Sequence, residues 1–337
     1  MLVSIILPTI RAGTIADAIE AILRQSDNNW ELIVVPQGND DAMLKMLGDY
    51  RARDPRVRYV HTPKKNVSHA RNIGMLEARG EIIAFTDDDC EVAPDWIAVM
   101  REIYMQNSDI HYLGGEVVAP PSKQPWRIST CPSAHVLNAK YYPLRDNWRA
   151  PEGFYMIGAN ISLRREIARK VGPFDEVFGA GAGAQFGSCE DQDFGLRAEA
   201  LGIGIMTSKR LVVNHTTGRR YGLRDFVVHQ RCYARGRGAW LAKLRLWGHP
   251  VVDVFEATPN LKAQAKAMVM RPHKWLLGIF GKYYAKRAEA EYLAQYVLGD
   301  DLLSIPRKPP THPAAVALRS RQMGDSGLVA QTHLRSQ

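Results

Sequence analysis

The 337-residue sequence predicts an α/β protein with a mixed, mostly parallel sheet flanked by helices and with a helical C-terminal extension. Strand and helix patterns alternate over residues 1–110 with short connections, as in proteins whose parallel strands are joined by crossover helices. The run EIIAFT at residues 81–86 is apolar and rich in β-branched residues, which is typical of a strand buried on both faces. After residue 218 the composition shifts toward basic and aromatic residues.

The first third of the chain supplies the alternating elements of this sheet. We predict strands at residues 2–7, 32–35, 57–60 and 81–86. We predict helices at residues 14–23, 43–50 and 68–78, and a further helix that Pro94 begins. Thr14 is placed to cap the first helix, which has one apolar face formed by Ile15, Ala18, Ile19, Ile22 and Leu23. Ligands of such sheets bind at the carboxyl ends of the strands.

Three consecutive carboxylates, Asp87, Asp88 and Asp89, follow the strand at residues 81–86. Because like charges repel, carboxylates at the mouth of a buried strand need a positive charge nearby, most economically a divalent cation. Side chains alternate along an extended backbone, so Asp87 and Asp89 can face the same side. Hard carboxylate oxygens on a rigid strand end suit Mg²⁺ or Mn²⁺. The alternative interpretation is a solvated acidic turn that caps the helix at Pro94.

A second acidic motif, Glu190-Asp191, opens an apolar-periodic helix at residues 194–201. The positive end of a helix helps to keep such carboxylates ionised, and a carboxylate held close to a reaction centre can accept a proton. Acidic residues are also common in the first turn of a helix for the electrostatic reason alone, so capping is the alternative interpretation.

The cysteine pattern and the hydropathy indicate a protein of the cytoplasm. The four cysteines are far apart and form no CxxC pair: Cys90, Cys131, Cys189 and Cys232. We therefore predict free thiols rather than a zinc site or a disulfide framework. No segment approaches the roughly 18 continuous apolar residues of a membrane-spanning helix. Residues 2–7 are apolar, but no basic region precedes them and Pro8 follows at once, so they indicate a strand and not a signal peptide.

Nearly all of the basic excess lies in the C-terminal part. Residues 1–214 hold 24 Lys and Arg against 27 Asp and Glu, whereas residues 215–337 hold 20 against 8. The segment 231–248 and the 275–283 stripe mix basic and aromatic groups as interfacial helices do, although an apolar stripe that docks on the rest of the protein is the alternative. The 275–283 stripe consists of Trp275, Leu276, Ile279, Phe280 and Tyr283. From residue 304 onward, prolines and polar residues predict a flexible end.

Four linked motifs resemble those of the family 2 glycosyltransferases with the GT-A fold. They are VSIILPT at residues 3–9, SHARNIGMLEARGEIIAFTDDDC at 68–90, GANISLRREIARKVGPFDE at 158–176 and FGSCEDQDFGLRAEALG at 186–202. The resemblance covers roughly residues 1–218 in the family's order and spacing, and several linked motifs are a stronger signal than any single one. It implies transfer of a sugar from a nucleotide-diphosphate donor with inversion at the anomeric carbon.

The resemblance assigns roles to both acidic motifs. Asp87 and Asp89 match the DxD motif, which binds a divalent cation, Mn²⁺ or Mg²⁺, and the ribose. We assign Asp87 and Asp89 to the metal, and Asp87 and Asp88 to the nucleotide sugar. A bridging cation stabilises the charge that develops on the departing diphosphate. Asp191 matches the general base that takes the proton of the acceptor hydroxyl, with Glu190 beside it.

Five further residues match positions near the donor or the metal. Thr9 matches the family's nucleotide-facing turn, and Arg71 matches a position near the nucleotide, where its fork of donors suits phosphate or base edges. Gly158 and Asn160 resemble the step that lines the donor sugar and the acceptor. His215 resembles a histidine that completes the metal shell or touches the diphosphate, and an ordinary packed histidine is the alternative.

The end of the second strand departs from the family's pattern. Many relatives carry acidic residues there that hold the base or ribose, whereas this chain reads PQGND at residues 36–40. Gln37 and Asn39 can still hydrogen-bond the edge of a base. The resemblance therefore leaves the nucleotide open, with UDP as the default.

Two segments lack a regular pattern. Periodicity lapses at residues 117–153, and long irregular segments within a compact domain are usually functional loops. The aromatic residues of segment 117–153 can stack on the sugar rings of an acceptor, or they form a satellite core beneath the loop. They are Trp126, Tyr141, Tyr142 and Trp148. The glycine-rich run at residues 179–183 follows no strand and starts no helix, so we interpret it as a flexible loop and not as a dinucleotide fingerprint.

Together these inferences predict a GT-A catalytic domain at residues 1–225, a basic helical extension at 226–303 and a Pro-rich tail at 304–337. The expected reaction moves a sugar from a nucleotide-sugar donor to a hydroxyl of a saccharide or lipid-linked acceptor. We expect a cytoplasmic enzyme with a peripheral contact with anionic membrane and with no nucleic-acid partner.

Two alternatives to this function are a sugar nucleotidyltransferase and a non-catalytic nucleotide- or nucleic-acid-binding module. The first would normally carry a glycine- and arginine-rich triphosphate loop after the first strand, where this chain reads PTIRAG at residues 8–13. The second shows no recognised nucleic-acid motif and leaves both acidic motifs without a role.

Overall fold

The computed structural model describes residues 1–118, 156–180, 184–216, 223–252 and 272–307, with short stretches between 136 and 153. The N-terminal elements are β1 Val3–Thr9, α1 Ala12–Leu23, β2 Trp30–Pro36, α2 Asp41–Arg53, β3 Val57–Tyr59, α3 Val67–Glu77 and β4 Ile82–Phe85. The next elements are β5 Cys90–Val92, α4 Trp96–Gln106, β6 Tyr112–Val118, β7 Val136–Leu137, β8 Lys140–Tyr141, β9 Trp148–Arg149, a 3-10 helix Gly158–Asn160, β10 Ile161–Arg164, α5 Arg165–Val171, α6 Glu190–Ala200 and β11 Ile205–His215. The C-terminal elements are α7 Leu223–Trp247, α8 Pro272–Gln295, β12 Tyr296–Leu298 and β13 Ser304–Pro306.

The central sheet is mixed and mostly parallel, which confirms the predicted fold class. Its strands lie in the order β3-β2-β1-β4-β10-β6-β11-β5, and β9 pairs with β11. Strand β1 is parallel to both β2 and β4, β2 is parallel to β3, and β6 is parallel to β11. Strand β10 runs antiparallel to its neighbours β4 and β6, and β5 runs antiparallel to β11. The carboxyl ends of β1, β2, β4, β6 and β11 therefore meet at one edge of the sheet.

Helices cover both faces of this sheet, because alternate residues of each central strand point to opposite faces. On β1, Ile5 packs in one core cluster with Ile15 of α1, whereas Ile6 packs in a second cluster with Phe174. The ring of Phe174 stacks on that of Phe194 of α6 at a centroid distance of 4.3 Å. Burial on both faces explains why these strands are continuous apolar runs in the sequence.

The C-terminal helices α7 and α8 pack against the end of the sheet domain that carries α6. A third core cluster joins Phe178 and Phe186 to Trp240 of α7 and Tyr292 of α8. A Cβ atom on Gly236 would lie 2.2 Å from Oγ of Ser188, so the absence of a side chain there allows α7 to approach the loop before α6.

A buried ion network reinforces this packing. Lys243 of α7 is 0% exposed, and its Nζ lies 2.8 Å from a carboxylate oxygen of Asp175 and 2.5 Å from one of Asp193. Asp175 also accepts hydrogen bonds from the backbone N–H and the hydroxyl of Ser304. The segment around Lys243 therefore packs on the sheet domain. This agrees with the alternative given for residues 231–248, in which the segment docks on the rest of the protein. The division of the chain at residue 225 stays a prediction.

Among the differences between predicted and observed element boundaries, three concern α1, α4 and β11. Helix α1 begins at Ala12 and has no side-chain cap, so the prediction that Thr14 caps it is wrong. Helix α4 begins at Trp96, two residues after Pro94. The sequence predicts a strand only at residues 211–214, and β11 is longer, because an irregular register opposite β6 between Ser208 and Val212 interrupts its apolar pattern.

The structure describes some of the remaining predicted residues and not others. Cys90, Cys189 and Cys232 are free thiols, as predicted. Cys131, Trp126, Tyr142, the run at residues 181–183 and the tail from 308 onward lie outside the described residues, as do the side chains of Trp275 and Leu276. None of the described helices combines the length and the apolar composition that a bilayer-spanning segment needs.

Candidate active site

Most of the predicted site residues meet at the carboxyl edge of the sheet. Thr9 ends β1, Gln37 follows β2, residues 87–89 follow β4, and His215 ends β11. The 3-10 helix Gly158–Asn160 reaches the same edge, because it precedes a strand that runs in the opposite direction. The topology thus brings together residues as far apart in the sequence as Thr9 and His215.

Arg11 provides part of the positive charge that the acidic triplet needs. Its Nε donates to a carboxylate oxygen of Asp88 at 2.9 Å, and its Nη1 lies 2.9 Å from Oδ2 of Asp89. Asp88 is 2% exposed and also accepts from the hydroxyl of Thr9 at 2.8 Å. Burial raises the pKa of Asp88 even though Arg11 acts to lower it. Sequence reasoning missed Arg11, although the argument for a compensating charge, applied to the turn after β1, points to it.

Four potential metal donors cluster at this edge. Ligand atoms of Asp87, Asp89, Cys90 and His215 all lie within 4.8 Å of one another. Nε2 of His215 is 3.7 Å from Oδ1 of Asp89, because the antiparallel pairing of β5 and β11 sets His215 opposite Cys90. Two carboxylates and an imidazole form a donor set that suits a divalent cation such as Mn²⁺. The thiol of Cys90 was not predicted in this cluster, and burial raises its pKa.

Arg71 joins the acidic triplet to the second acidic motif. Its Nη2 lies 3.0 Å from Oδ1 of Asp87, and its Nη1 lies 3.2 Å from Oε1 of Glu190. The side chain is 2% exposed, and its guanidinium also lies 5.5 Å from the ring centroid of Phe174. A Cβ atom on Gly158 would lie 2.4 Å from Nη2 of Arg71, so only glycine leaves room for this guanidinium. A contact between Arg71 and a nucleotide stays a prediction.

The second acidic motif begins α6, and the residue before it has a strained backbone conformation. Cys189, the residue before Glu190, has a φ of 78°, a left-handed conformation that non-glycine residues rarely adopt. Both oxygens of Asp191 accept backbone hydrogen bonds at 2.9 Å, one from Gly158 and one from Gln192. These bonds fix the orientation of the Asp191 carboxylate relative to the 3-10 helix.

Burial changes the protonation of this acidic pair. It raises the pKa of Glu190 to about 7, and the charge of Asp191 contributes to the increase. Burial also raises the pKa of Asp191, although the charge of Arg71 opposes it. Glu190 is 6% exposed, whereas Asp191 keeps partial exposure. Asp191 is therefore the member of the pair that solvent or a ligand can reach.

The remaining predicted residues differ in what their side chains contact. Asn160 is 1% exposed; its amide donates to the backbone carbonyls of Glu116 and Leu211 and accepts from the indole of Trp96. A direct contact with a donor sugar would break these core hydrogen bonds. Gln37 is buried at the strand end, whereas Asn39 is exposed. Ligand contacts of these residues stay predictions.

Comparisons with known proteins agree on one family. The model of the family "Glycosyl transferase family 2" matches residues 4–172. A glucosyl-dolichyl phosphate glucuronosyltransferase of Haloferax volcanii is 25% identical over 217 residues, which cover 61% of this chain and 65% of the relative. An uncharacterized glycosyltransferase, EpsJ of Bacillus subtilis, is 36% identical over 107 residues, 32% of this chain and 31% of the relative. The chain thus spans less than two thirds of the length of each of these relatives.

Solved structures show the same fold at low sequence identity. The mannosyltransferase PcManGT of Pyrobaculum calidifontis, solved with GDP-Man and Mn²⁺, has a TM-score of 0.56 at 15% identity and covers 86% of each chain. Residues 1–349 of TarS of S. aureus have a TM-score of 0.51 at 15% identity and cover 93% of this chain and 98% of that one.

Proposed function

Since the chain belongs to glycosyl transferase family 2, we propose that it moves a sugar from a nucleotide-diphosphate donor to a hydroxyl of an acceptor, with inversion at the anomeric carbon. One observation carries this proposal. The triplet at residues 87–89 and the motif Glu190-Asp191 lie at one sheet edge and are joined through Arg71, which contacts Asp87 and Glu190 and leaves the carboxylate of Asp191 partly exposed. A group that holds the diphosphate and a group that accepts a proton are the two requirements of a direct displacement.

We propose that Asp87, Asp89 and His215 hold a divalent cation, Mn²⁺ or Mg²⁺. Their donor atoms lie within 4.8 Å of one another, and the structural neighbour PcManGT was solved with Mn²⁺. When bound, such a cation neutralises charge on the diphosphate leaving group. Arg11 and Arg71 limit the repulsion within the acidic triplet, so the carboxylates can remain close together before the cation binds.

We propose Asp191 as the general base. The N–H groups of Gly158 and Gln192 hold its carboxylate in place. A raised pKa makes a carboxylate a better proton acceptor, provided that it is still ionised at the working pH. Glu190 is buried against Arg71, so its role is to position Arg71.

For the donor we propose a default nucleotide, and for the acceptor we propose a chemical class. Among structural neighbours, TarS 1–349 was solved with UDP-GlcNAc and PcManGT with GDP-Man, so we keep UDP as the default nucleotide. The name of the Haloferax volcanii relative describes a lipid-linked saccharide, which supports a saccharide or lipid-linked acceptor. With such an acceptor, the reaction takes place at the cytoplasmic face of a membrane, and the proposal includes a peripheral contact with that surface.

A screen of nucleotide sugars tests this function. The full chain is incubated with UDP- and GDP-sugars, with Mn²⁺, Mg²⁺ or a chelator, and free nucleoside diphosphate is measured. We expect metal-dependent release of UDP or GDP from one donor, and loss of that release in Asp191→Asn. Formation of pyrophosphate from a sugar phosphate and a nucleoside triphosphate, without diphosphate release from any sugar nucleotide, would instead support the nucleotidyltransferase alternative.

A further inference from the structure

Large apolar side chains are exposed at the N-terminal end of α7 and in the N-terminal half of α8. We call this set the helix-tip patch; it consists of Leu223, Val227, Val228, Ile279, Phe280 and Tyr283. Val228 and Phe280 are each 60% exposed, and Tyr283 is 58% exposed. Three of the six residues belong to the 275–283 stripe, and the three on α7 were not predicted from the sequence.

The two parts of the helix-tip patch lie at the same end of the helix pair. The guanidinium of Arg231 lies 5.1 Å from the ring centroid of Tyr284, and a Cβ atom on Gly238 would touch the backbone of Ala285. Farther along, Arg245 pairs with Glu289. These three contacts follow the same order along both helices, as in a parallel pair, whereas the long side chains of Arg235 and Glu291 pair at 2.9 Å out of that order. The N-terminal halves of the two helices therefore lie at the same end of the pair.

The C-terminal halves of the same helices carry the buried side chains, which bounds the patch. Trp240 of α7 is 1% exposed and Tyr292 of α8 is 0% exposed, and both pack against Phe178 and Phe186. The helices thus use their C-terminal halves to dock on the sheet domain. The exposed apolar side chains lie in their N-terminal halves.

Basic residues surround the helix-tip patch. Lys282, Lys286 and Arg287 on α8 are exposed, and residues 278–287 contain no acidic residue. On α7, Arg224 and Arg231 are exposed, with Asp225 as the one acidic residue of segment 223–237. Apolar side chains flanked by cationic ones match the interface of an anionic bilayer, where the former enter the headgroup layer and the latter pair with headgroups.

We infer that the helix-tip patch is the surface by which this chain binds an anionic membrane. The inference rests on the proposed transfer to a lipid-linked acceptor. Val228 lies eight positions before Gly236 on α7, and Gly236 packs on Ser188, two residues before Glu190. Because a helix rises about 1.5 Å per residue, the bilayer contact lies roughly 12 Å along α7 from the start of α6. The headgroup end of a lipid-linked acceptor is then within reach of Asp191.

Vesicle flotation of the full chain tests the inference. We expect binding to vesicles with an anionic phospholipid and little binding to neutral phosphatidylcholine vesicles, with the difference reduced at high salt. The double substitution Lys282→Gln and Lys286→Gln should weaken binding roughly 30-fold, from about 1 kcal/mol per basic residue near the surface. Ile279→Ser with Phe280→Ser should also weaken it. Leu76→Ser with Met105→Ser is the matched control, because these two residues are exposed at 67% and 65% elsewhere on the molecule and should leave binding unchanged.

Two outcomes would overturn the inference. Equal or negligible binding to both kinds of vesicle at low salt would show that the patch does not select an anionic bilayer. A concentration-dependent dimer that disappears with Ile279→Ser and Phe280→Ser, without vesicle binding, would identify a second copy as the occupant. The same variants keep the predicted site residues, so nucleotide release from a soluble donor should be unchanged. A failure of flotation is therefore distinct from a failure of the proposed reaction.

Discussion

The backbone N–H of Gly158 donates a 2.9 Å hydrogen bond to Oδ2 of Asp191. This bond links the 3-10 helix before β10 to the first turn of α6 and leaves Asp191 partly exposed. Its other oxygen accepts from the backbone of Gln192. Because the backbone fixes both oxygens, the orientation of this carboxylate does not depend on mobile side chains.

The first prediction concerns Asp191→Asn. An asparagine can keep the hydrogen bond from Gly158 through its carbonyl oxygen, but it cannot accept the proton of an acceptor hydroxyl. We expect transfer to fall by about 10²–10⁴-fold, with nucleotide affinity unchanged within about twofold. The measurement combines steady-state transfer with calorimetry of UDP. Glu166→Gln on an exposed part of α5 is the control, and near-native turnover of Asp191→Asn would remove Asp191 from the mechanism.

The second prediction concerns the metal. If Asp87, Asp89 and His215 hold a cation that contacts the diphosphate, UDP affinity should fall at least about tenfold when EDTA is added. Asp89→Ala should lower the affinity in the presence of Mn²⁺ to the same level, and addition of EDTA should then have no further effect. Calorimetry with Asp109→Ala, an exposed control, should match the unchanged chain. Undiminished UDP affinity in EDTA would contradict the assignment.

The sequence predicted the sheet edge well because its signals are local. The apolar run at residues 81–86 and the triplet after it are adjacent in the chain, so burial on both faces and charge repulsion can be argued without knowledge of the fold. The helix that begins with Glu190 is recognisable for the same reason. Strand β11 was only partly predicted, because exposed Lys209 and Arg210 interrupt its apolar residues.

The long-range ion pairs were not predictable in this way. Arg11 and its partner Asp88 are 77 positions apart in the sequence, and Lys243 and its partner Asp175 are 68 positions apart. A lysine within a basic, aromatic segment has the pattern of an interfacial helix, and nothing local indicates that it is fully buried. Only the packing of α7 on the loop before α6 reveals that residues 231–248 dock while the helix tip stays exposed.

The third prediction concerns stability in acid. Glu176 lies 2.9 Å from Nδ1 of His69 and 2.5 Å from Nζ of Lys64. Burial alone would raise the pKa of Glu176, but the hydrogen bond with His69 and the charge of Lys64 lower it to about 2, from an ordinary value of 4.5. Because the folded pKa lies below the unfolded one, the stabilisation is present above pH 4.5 and is lost as the pH falls toward 2.

Glu176→Gln tests this contribution. At pH 7 the variant should lose roughly 1–3 kcal/mol of unfolding free energy, with the figure reduced by the partial exposure of the pair. As the pH falls from 4.5 toward 2 the difference between the variant and the unchanged chain should shrink, because the unfolded state takes up the proton of Glu176 first and the folded state takes it up only near pH 2. Urea unfolding at several pH values measures it. A difference that stays constant with pH would show that the loss comes from packing and not from the ionised carboxylate.

The last prediction concerns Lys243. Its side chain is 0% exposed, and its ammonium lies between the carboxylates of Asp175 and Asp193. Burial alone would raise the pKa of Asp175, but Lys243 and Ser304 lower it, so this carboxylate is ionised and depends on its partners. Lys243→Met removes the ammonium. The buried, charged carboxylate of Asp175 then keeps only its hydrogen bonds from Ser304, whereas Asp193 keeps its ion pair with Arg197 at 3.0 Å. We expect a loss of roughly 3 kcal/mol of unfolding free energy.

Lys45→Met is the matched control for this experiment, because Lys45 is 80% exposed and pairs with the equally solvated Asp49, so its loss should cost less than about 1 kcal/mol. Adding Asp175→Asn to Lys243→Met should recover part of the stability, because the stranded charge is then removed. If Lys243→Met costs no more than Lys45→Met, then α7 contributes little to the stability of the sheet domain. A large loss with partial recovery in the double variant would instead show that this helix is part of the folded core that holds α6, and with it Asp191, in position.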